Sequence, residues 1–172
     1  MTDAEILDAT CGGKTIWHPD QRDNPFTLFI DRREGPVETE EKYGYKSYYS
    51  VEPDEVQDFR DLPYLDESFR LVVFDPPHRK RSDGMDSLDG VMEMKYGALH
   101  AETWQADLKD GFDELWRVLK PGGTLVFKFS DCDVDFRDVI KLAPAQPLFG
   151  TVTNNRKTAE NRWFVFYKPE DA

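Results

Sequence analysis

The residues best suited to chemistry lie in Leu71 to Arg81, LVVFDPPHRKR, where an apolar run leads into an acid, two prolines and a histidine. An unbroken apolar run such as LVVF predicts a strand that is buried on both faces, as in a parallel sheet. The prolines cannot continue the hydrogen-bond ladder, so they end the strand and leave the Asp75 carboxylate and the Pro76 carbonyl as neighbouring acceptors. Ligands of open α/β sheets bind beyond the carboxyl ends of the strands. This segment therefore predicts a site, and its acceptor pair suits an NH2 donor.

Two further apolar runs also end in an acid. The first, Ile6-Leu7-Asp8, continues as DATCGGKT, in which the glycines allow the backbone to approach a ligand closely. The second, FTLFID, ends in Asp31, where a carboxylate can accept hydrogen bonds from the ribose hydroxyls of an adenosine cofactor. The arginines at 32 and 33 leave an NADP dehydrogenase open, although the G-x-G-x-x-G fingerprint of that class is missing.

Two segments resemble the amino-methyltransferases, which methylate an exocyclic amine of adenine, cytosine or guanine, or a protein amide. D-P-P-H resembles their motif IV, and DATCGGKT resembles their motif I, D-P-F-C-G-S-G-T. It matches that motif at Asp8, Cys11, Gly12 and Thr15, and Lys14 stands where a third glycine is usual. RDLPYLDESFRLVVFDPP and LWRVLKPGGTLVFKFSD are similar to segments of class I S-adenosylmethionine-dependent methyltransferases. The resemblance covers nearly the whole chain.

The resemblance implies S-adenosylmethionine as the cofactor, a nucleic acid as the substrate with DNA placed before RNA, and the N6 amine of adenine as the first target. By position, Asp58 would bind the adenine amine of the cofactor and Phe59 would cover its ring, while His78 would stack on the target base. No metal is expected. The implied cofactor residues are Asp8, Ala9, Thr10, Cys11, Gly12, Asp31, Asp58 and Phe59, and the implied catalytic residues are Asp75, Pro76, Pro77 and His78.

Lys128 keeps a second chemistry open. It lies inside the predicted fifth strand, and burying a lysine without a partner is costly, so it should reach the sheet edge or meet an acid such as Asp75. The ribose 2′-O-methyltransferases, by resemblance, carry a catalytic lysine at this strand position beside a motif IV aspartate. An RNA methyltransferase acting on a base amine or a ribose, and a non-catalytic cofactor-binding subunit, therefore remain alternatives.

The predicted elements form an α/β, Rossmann-like class I methyltransferase fold. We expect a seven-stranded, mostly parallel sheet with an antiparallel last strand and helices on both faces. Apolar residues at three- and four-residue spacing predict a helix over 103–119, and K-P-G-G then leads into a strand over 124–129. A short helix is predicted over 135–142, and a closing antiparallel pair over 147–153 and 163–168. Loops at 34–50 and 79–100 are the expected lid and substrate loops.

Length and charge bound the organisation of the chain. With 172 residues, it fits a single domain over 1–172 without a separate target-recognition domain, so a partner protein or a homodimer could supply target recognition. A net charge of −12 opposes tight non-specific nucleic-acid binding and suggests salt adaptation, as in a halophile or its virus. Two cysteines are too few for a disulfide framework. The sequence has no predicted membrane span or signal peptide, so we expect a cytoplasmic protein without a membrane partner.

Overall fold

The structure, a computed structural model, describes residues 4–38, 48–84, 91–150 and 159–170. The strands are β1 (Ile6–Asp8), β2 (Thr27–Asp31), β3 (Gly35–Glu38), β4 (Tyr48–Val51), β5 (Glu55–Val56), β6 (Phe69–Phe74), β7 (Lys80–Arg81), β8 (Leu99–His100), β9 (Leu119–Ser130) and β10 (Asn161–Tyr167). The α-helices are α1 (Val91–Tyr96), α2 (Trp104–Val118) and α3 (Phe136–Ile140), and a short 3-10 helix spans Pro19–Gln21.

The main sheet has the strand order β10-β9-β6-β1-β2-β5. Its pairs are parallel except for β10, which runs antiparallel to β9. Leu7, at the middle of β1, lies opposite Leu28 on one side and Val72 on the other. The parallel strands bring their carboxyl ends, and the acids that follow them, to one edge. The predicted mostly parallel, Rossmann-like sheet with an antiparallel last strand is confirmed.

The described part of this sheet has six strands rather than the predicted seven. At the expected strand over 147–153, the structure has a single antiparallel bridge between Phe149 and Val165. Gly150 then adopts a φ of 108°, which is outside the strand region, and Pro147 has no N–H to extend a ladder. Residues 151–158, which include part of the expected strand over 147–153, lie outside the described residues.

Helices α2 and α3 pack on one face of the sheet. Strand side chains alternate between faces, so β9 sends Leu125, Phe127 and Phe129 into this core, where they meet the apolar stripe of α2. Phe112 of α2 is fully buried, and its ring lies 5.0 Å from that of Phe127. Replacing such a residue with alanine typically costs ~3–5 kcal/mol. On the opposite face, Phe29 packs against Trp17 of the β1–β2 loop, with ring centroids 5.2 Å apart.

The two predicted loops contain regular structure. In the first, β3 and β4 form an antiparallel hairpin in which Gly35 lies opposite Val51. In the second, β7 and β8 pair in parallel and α1 lies between them along the chain. Residues 39–47 and 85–90 of these loops lie outside the described residues. Across the described ranges, the structure contains no helix with the length and apolar character needed to cross a membrane.

Candidate active site

A cavity of about 400 Å³ opens at the carboxyl edge of the sheet. The loop after β1 forms one side of it, the segment after β6 forms another, and the ends of β9 and β10 close a third. This is the edge at which open α/β sheets bind ligands. The predicted residues that line the cavity are Ala9, Thr10, Cys11, Gly12, Asp31, Phe59, Asp75, Pro76, Pro77 and His78.

Asp75 lies at the centre of a three-residue polar cluster. The Lys128 ammonium donates hydrogen bonds to both Asp75 oxygens, at 2.7 and 2.9 Å. His78 Nε2 lies 3.2 Å from Asp75 Oδ1, and the imidazole ring packs edge-on against Phe129 with centroids 5.0 Å apart. His78 thus faces Asp75 and Phe129. Its other nitrogen, Nδ1, is buried and has no hydrogen-bond partner among the described residues.

Thr10 connects the loop after β1 to this cluster. Its hydroxyl oxygen accepts a hydrogen bond from the Asp75 backbone N–H at 2.9 Å. Its own N–H donates to Asp8 Oδ1 at 3.1 Å, and the Trp17 indole N–H donates to Asp8 Oδ2 at 2.6 Å. Asp8 is fully buried, and this burial raises its pKa to about 7. Asp8 therefore stabilises the loop through its contacts with Thr10 and Trp17, and it does not line the cavity.

The glycine loop is held by contacts from two other elements. Gly12, with a φ of 49°, donates its N–H to Asp31 Oδ2 at 3.0 Å. The Gly13 N–H donates to the Tyr49 hydroxyl at 2.6 Å, and a Cβ at Gly13 would lie 2.6 Å from Tyr49 Cε2. That tyrosine belongs to β4, so the β3–β4 hairpin packs onto the loop. A side chain at position 13 would therefore force the Tyr49 ring to move.

Lys14 turns away from the cavity. Its φ of 54° lies in the left-handed region, which favours glycine and accounts for the third glycine usual in the resembling motif. Its ammonium donates to the Arg22 carbonyl at 3.1 Å and lies 4.1 Å from the centre of the Phe29 ring. The lysine therefore packs on the sheet face opposite α2.

The two acids predicted to bind the adenosine differ in placement. Asp31 lines the cavity, with Oδ1 accepting hydrogen bonds from the N–H and Nε of Arg33 at 3.0 and 3.2 Å. Asp58 instead forms an ion pair with Arg60 at 2.6 Å, and the same guanidinium contacts Asp107. Burial tends to raise the pKa of Asp58, but the hydrogen bonds from Arg60 outweigh it and hold that pKa below its usual range.

Several cavity residues were not among the predicted site residues. The sequence predicts a role for Lys128 only in the alternative ribose chemistry. Tyr49 lies in a segment that the sequence predicts as a loop, and Asn161 is brought to the cavity by the register that places it opposite Ser130. The tyrosine-rich composition of 34–50 was the only sequence signal for Tyr49. No local signal distinguishes Asn161.

The fold is shared with solved structures at low sequence identity. Neither the family models nor the curated proteins that were compared with the sequence match it. A protein from Pyrococcus horikoshii OT3 is similar at 18% identity with a TM-score of 0.51, over 95% of this chain and 81% of that one. A protein described as an rRNA methylase from Streptococcus thermophilus is similar at 14% identity with a TM-score of 0.50, over 98% and 89% of the two chains. These similarities establish the fold.

Proposed function

We propose that the chain is an S-adenosylmethionine-dependent methyltransferase that acts on an exocyclic amine of a nucleic-acid base, with adenine N6 in DNA as the first target. The observation that carries this proposal is the position of Asp75–His78, which line the same cavity as the glycine loop and Asp31. A cofactor site and a methyl-acceptor site would then share one cavity. The fold similarity to a protein described as an rRNA methylase is consistent with this proposal.

The cavity residues fit S-adenosylmethionine. The cavity volume of about 400 Å³ is within the range of small-molecule sites. The Asp31 carboxylate suits ribose hydroxyls, the Phe59 ring offers an apolar wall for adenine, and the 9–12 backbone can approach the methionine moiety because Gly12 has no side chain. When bound, the cofactor supplies an electrophilic methyl group on a sulfonium. The Asp58 carboxylate faces Arg60, so we assign the adenine contact to Phe59 rather than to Asp58.

The charge of the cavity supports a nucleic-acid substrate. Four cationic side chains line it, compared with two carboxylates, in a protein whose net charge is −12. Local positive charge on an acidic protein draws a polyanion to one place and repels it elsewhere. The four cations are Arg32, Arg33, Arg79 and Lys128, and the two carboxylates are Asp31 and Asp75.

Asp75 retains acceptor capacity for an amine. A carboxylate has about four acceptor positions, of which Lys128 uses two, and His78 Nε2 lies 3.2 Å from Oδ1 beside a third. The remaining position and the Pro76 carbonyl would accept hydrogen bonds from the two N–H groups of an exocyclic amine. These hydrogen bonds would rotate the amine so that its lone pair is no longer conjugated with the ring. The proton leaves after methyl transfer, so no strong base is required. In a duplex, the base must first be flipped out, which costs a few kcal/mol.

A ribose 2′-hydroxyl is a second candidate target, favoured by the contact between Lys128 and Asp75. In this reaction, Asp75 would orient Lys128, and Lys128 would remove the hydroxyl proton as the methyl group is transferred. The Lys128 ammonium donates to both Asp75 oxygens, so Lys128 would first have to give up this contact before it could accept the hydroxyl proton. Because of this requirement, we place the exocyclic amine before the ribose hydroxyl as the methyl acceptor.

The test is tritium transfer from labelled S-adenosylmethionine to DNA and to RNA, at low and molar salt, followed by nucleoside identification. We expect label on N6-methyladenine or N4-methylcytosine. Asp75→Ala should lower the rate by about 10²–10³-fold and spare cofactor binding, because it removes an oriented acceptor at the reacting amine. Asp31→Ala should chiefly weaken cofactor binding, measured by calorimetry.

Two outcomes would change the assignment. A near-normal rate in Asp75→Ala would exclude the amine mechanism. Label on ribose, lost in Lys128→Met and kept in Lys141→Met, would favour the second candidate. Lys141 is the matched control because its exposed ammonium pairs with Asp138, which belongs to α3. A protein that binds no cofactor would contradict the methyltransferase proposal as a whole.

A further inference from the structure

Trp163 is an exposed aromatic residue beside the polar cluster of the cavity. It lies on β10 directly opposite Lys128 of β9, and it is 46% exposed. Directly opposed residues of an antiparallel pair place their Cβ atoms ~4.5–5.5 Å apart on the same face. The Lys128 ammonium reaches Asp75, so the indole lies beside the residues of the candidate methyl-acceptor site.

Trp163 lies next to one wall of the cavity. Asn161 lies two residues earlier on β10 and lines the cavity opposite Ser130. Residues two apart on a strand share a face and are separated by ~6.6 Å. On the same face, beyond Val165, the bridge residue Phe149 is 63% exposed. Two exposed aromatic residues, Trp163 and Phe149, thus lie on the sheet face next to Asn161, and Trp163 is the nearer of them along β10.

The charge of the adjoining cavity indicates which kind of ligand could use the exposed Trp163 ring. Proteins that bind single-stranded nucleic acid combine a cationic groove with aromatic side chains on which bases stack. Here the cationic lining of the cavity meets an exposed indole on a protein with a net charge of −12. A nucleic-acid strand offers a base to stack on the indole at every position, whereas an acidic peptide offers its carboxylates only to the cationic side chains.

We propose that Trp163 is a stacking platform for the nucleotide next to the target base in a single-stranded nucleic acid. This inference rests on the proposed function. It specifies in addition that the substrate is single-stranded and that Trp163 binds it. The target base enters the cavity beside Asp75, and its neighbour stays outside and stacks on the indole. Stacking tolerates any base because each has a π-face, so Trp163 contributes affinity rather than sequence choice.

Tyr167 provides a matched control. It is 41% exposed, lies on the same strand and face, and is opposite Thr124 near the amino half of β9. Four residues along the strand place it ~13 Å from Trp163. A general loss of apolar surface or of strand stability would affect both variants, whereas loss of a cavity-side platform would affect only Trp163.

The experiment measures binding without requiring methyl transfer. Fluorescein-labelled oligo(dA) and oligo(dC) single strands, and their duplexes, are titrated by anisotropy at fixed salt with the wild type and three variants. Trp163→Ala should weaken single-strand binding about tenfold or more, Trp163→Phe should retain most of it, and Tyr167→Ala should stay within about twofold. Chromatography of each variant records the oligomeric state, and S-adenosylhomocysteine titration records cofactor binding.

Three results would overturn the proposal. The first is equal binding by Trp163→Ala and the wild type. The second is a wild type that binds S-adenosylhomocysteine and no single strand. The third is a change from dimer to monomer in Trp163→Ala, which would make the surface a contact with a second copy. Failure of the proposed function has a different signature, in which cofactor binding is absent or transfer does not occur while the Trp163→Ala defect in strand binding persists.

Discussion

At the scale of single residues, the Thr10 hydroxyl is the direct link between the loop after β1 and Asp75. Thr10→Ala leaves the Asp75 N–H without this acceptor, which typically costs ~1–3 kcal/mol when the group is buried. We expect the methyl-transfer rate to fall about tenfold or more, while Thr10→Ser keeps a near-normal rate because its hydroxyl can accept the same bond. Steady-state kinetics with parallel cofactor titrations measure the effect. Equal rates in the two variants would contradict a positioning role.

Asp8 should make stability depend on pH in a direction opposite to that of most acids. Burial raises its pKa to about 7, whereas the unfolded chain releases this proton near the usual value of about 3.9. The folded state therefore holds an extra proton between these values, so this contribution to stability is full below about pH 4 and is lost as pH rises toward 7. The loss is on the order of a few kcal/mol.

Asp8→Asn does not titrate and should lack this pH dependence. The measurement is the free energy of unfolding of wild type and Asp8→Asn by urea titration at several pH values from 4 to 8. The difference between the two proteins should change in favour of Asp8→Asn as pH rises. A constant difference across that range would show that Asp8 is not protonated in the fold.

The sequence predicts which residues follow the strands better than it predicts their side-chain contacts. Each acid after a predicted strand stands at the carboxyl edge, because strand periodicity and Pro or Gly punctuation are local properties. The side-chain partners are not local in that way. Asp58 pairs with Arg60, which also donates a hydrogen bond to Asp107 of α2. The His78 ring contacts Asp75 and Phe129. Such orientations follow from tertiary packing, which a single sequence does not specify.

At the scale of elements, helix α2 carries a glycine where alanine would be the better helix former. A Cβ at Gly111 would lie 2.5 Å from Cδ2 of Phe59, the ring that lines the cavity. Gly111→Ala gains up to ~1 kcal/mol in helix propensity. It should nevertheless destabilise the protein by ~1–3 kcal/mol, because overpacking forces the ring or the helix to move.

The same substitution should weaken cofactor binding, because the displaced ring is the proposed adenine wall. Asp110→Ala, at an exposed position of the same helix, is the control and should keep wild-type stability within about 0.5 kcal/mol. Urea unfolding and S-adenosylhomocysteine titration of both variants provide the measurement. A Gly111→Ala protein that is more stable than the wild type would show that Phe59 can move aside at no cost.

The sequence predicts the long helix to within one residue, whereas the strand predicted over 124–129 begins earlier, at Leu119, and includes K-P-G-G. The short pairings are not predicted. The expected helix over 103–119 is α2, which ends at Val118 because Leu119 takes extended angles, φ −76° and ψ 129°. The β3–β4 hairpin and the two-residue strands β7 and β8 carry too few alternating residues for a period to appear. They form because distant segments offer partners, as in the contact of Tyr49 with Gly13.

At the scale of the whole molecule, the charge of −12 should make stability depend on salt. Repulsion among carboxylates opposes the compact state, and added ions screen it over ~10 Å at 0.1 M and ~3 Å at 1 M. We expect the unfolding temperature to rise from low to molar KCl, measured by circular dichroism, with activity following the same trend. A protein that is fully folded and active without added salt would contradict salt adaptation.

The central place of β1 has a consequence for how the protein is made. The sheet strand that comes first along the chain lies between β2 and β6, so one of its two partners is complete only at Phe74. At ~5–20 residues per second, a ribosome needs ~3–14 s to synthesise the residues from β1 to that point. During this interval Leu7, which is fully buried in the finished sheet, lacks one neighbour. A nascent chain paused between Asp31 and Phe69 would therefore display an unpaired strand edge, the feature that chaperones recognise and that leads to aggregation.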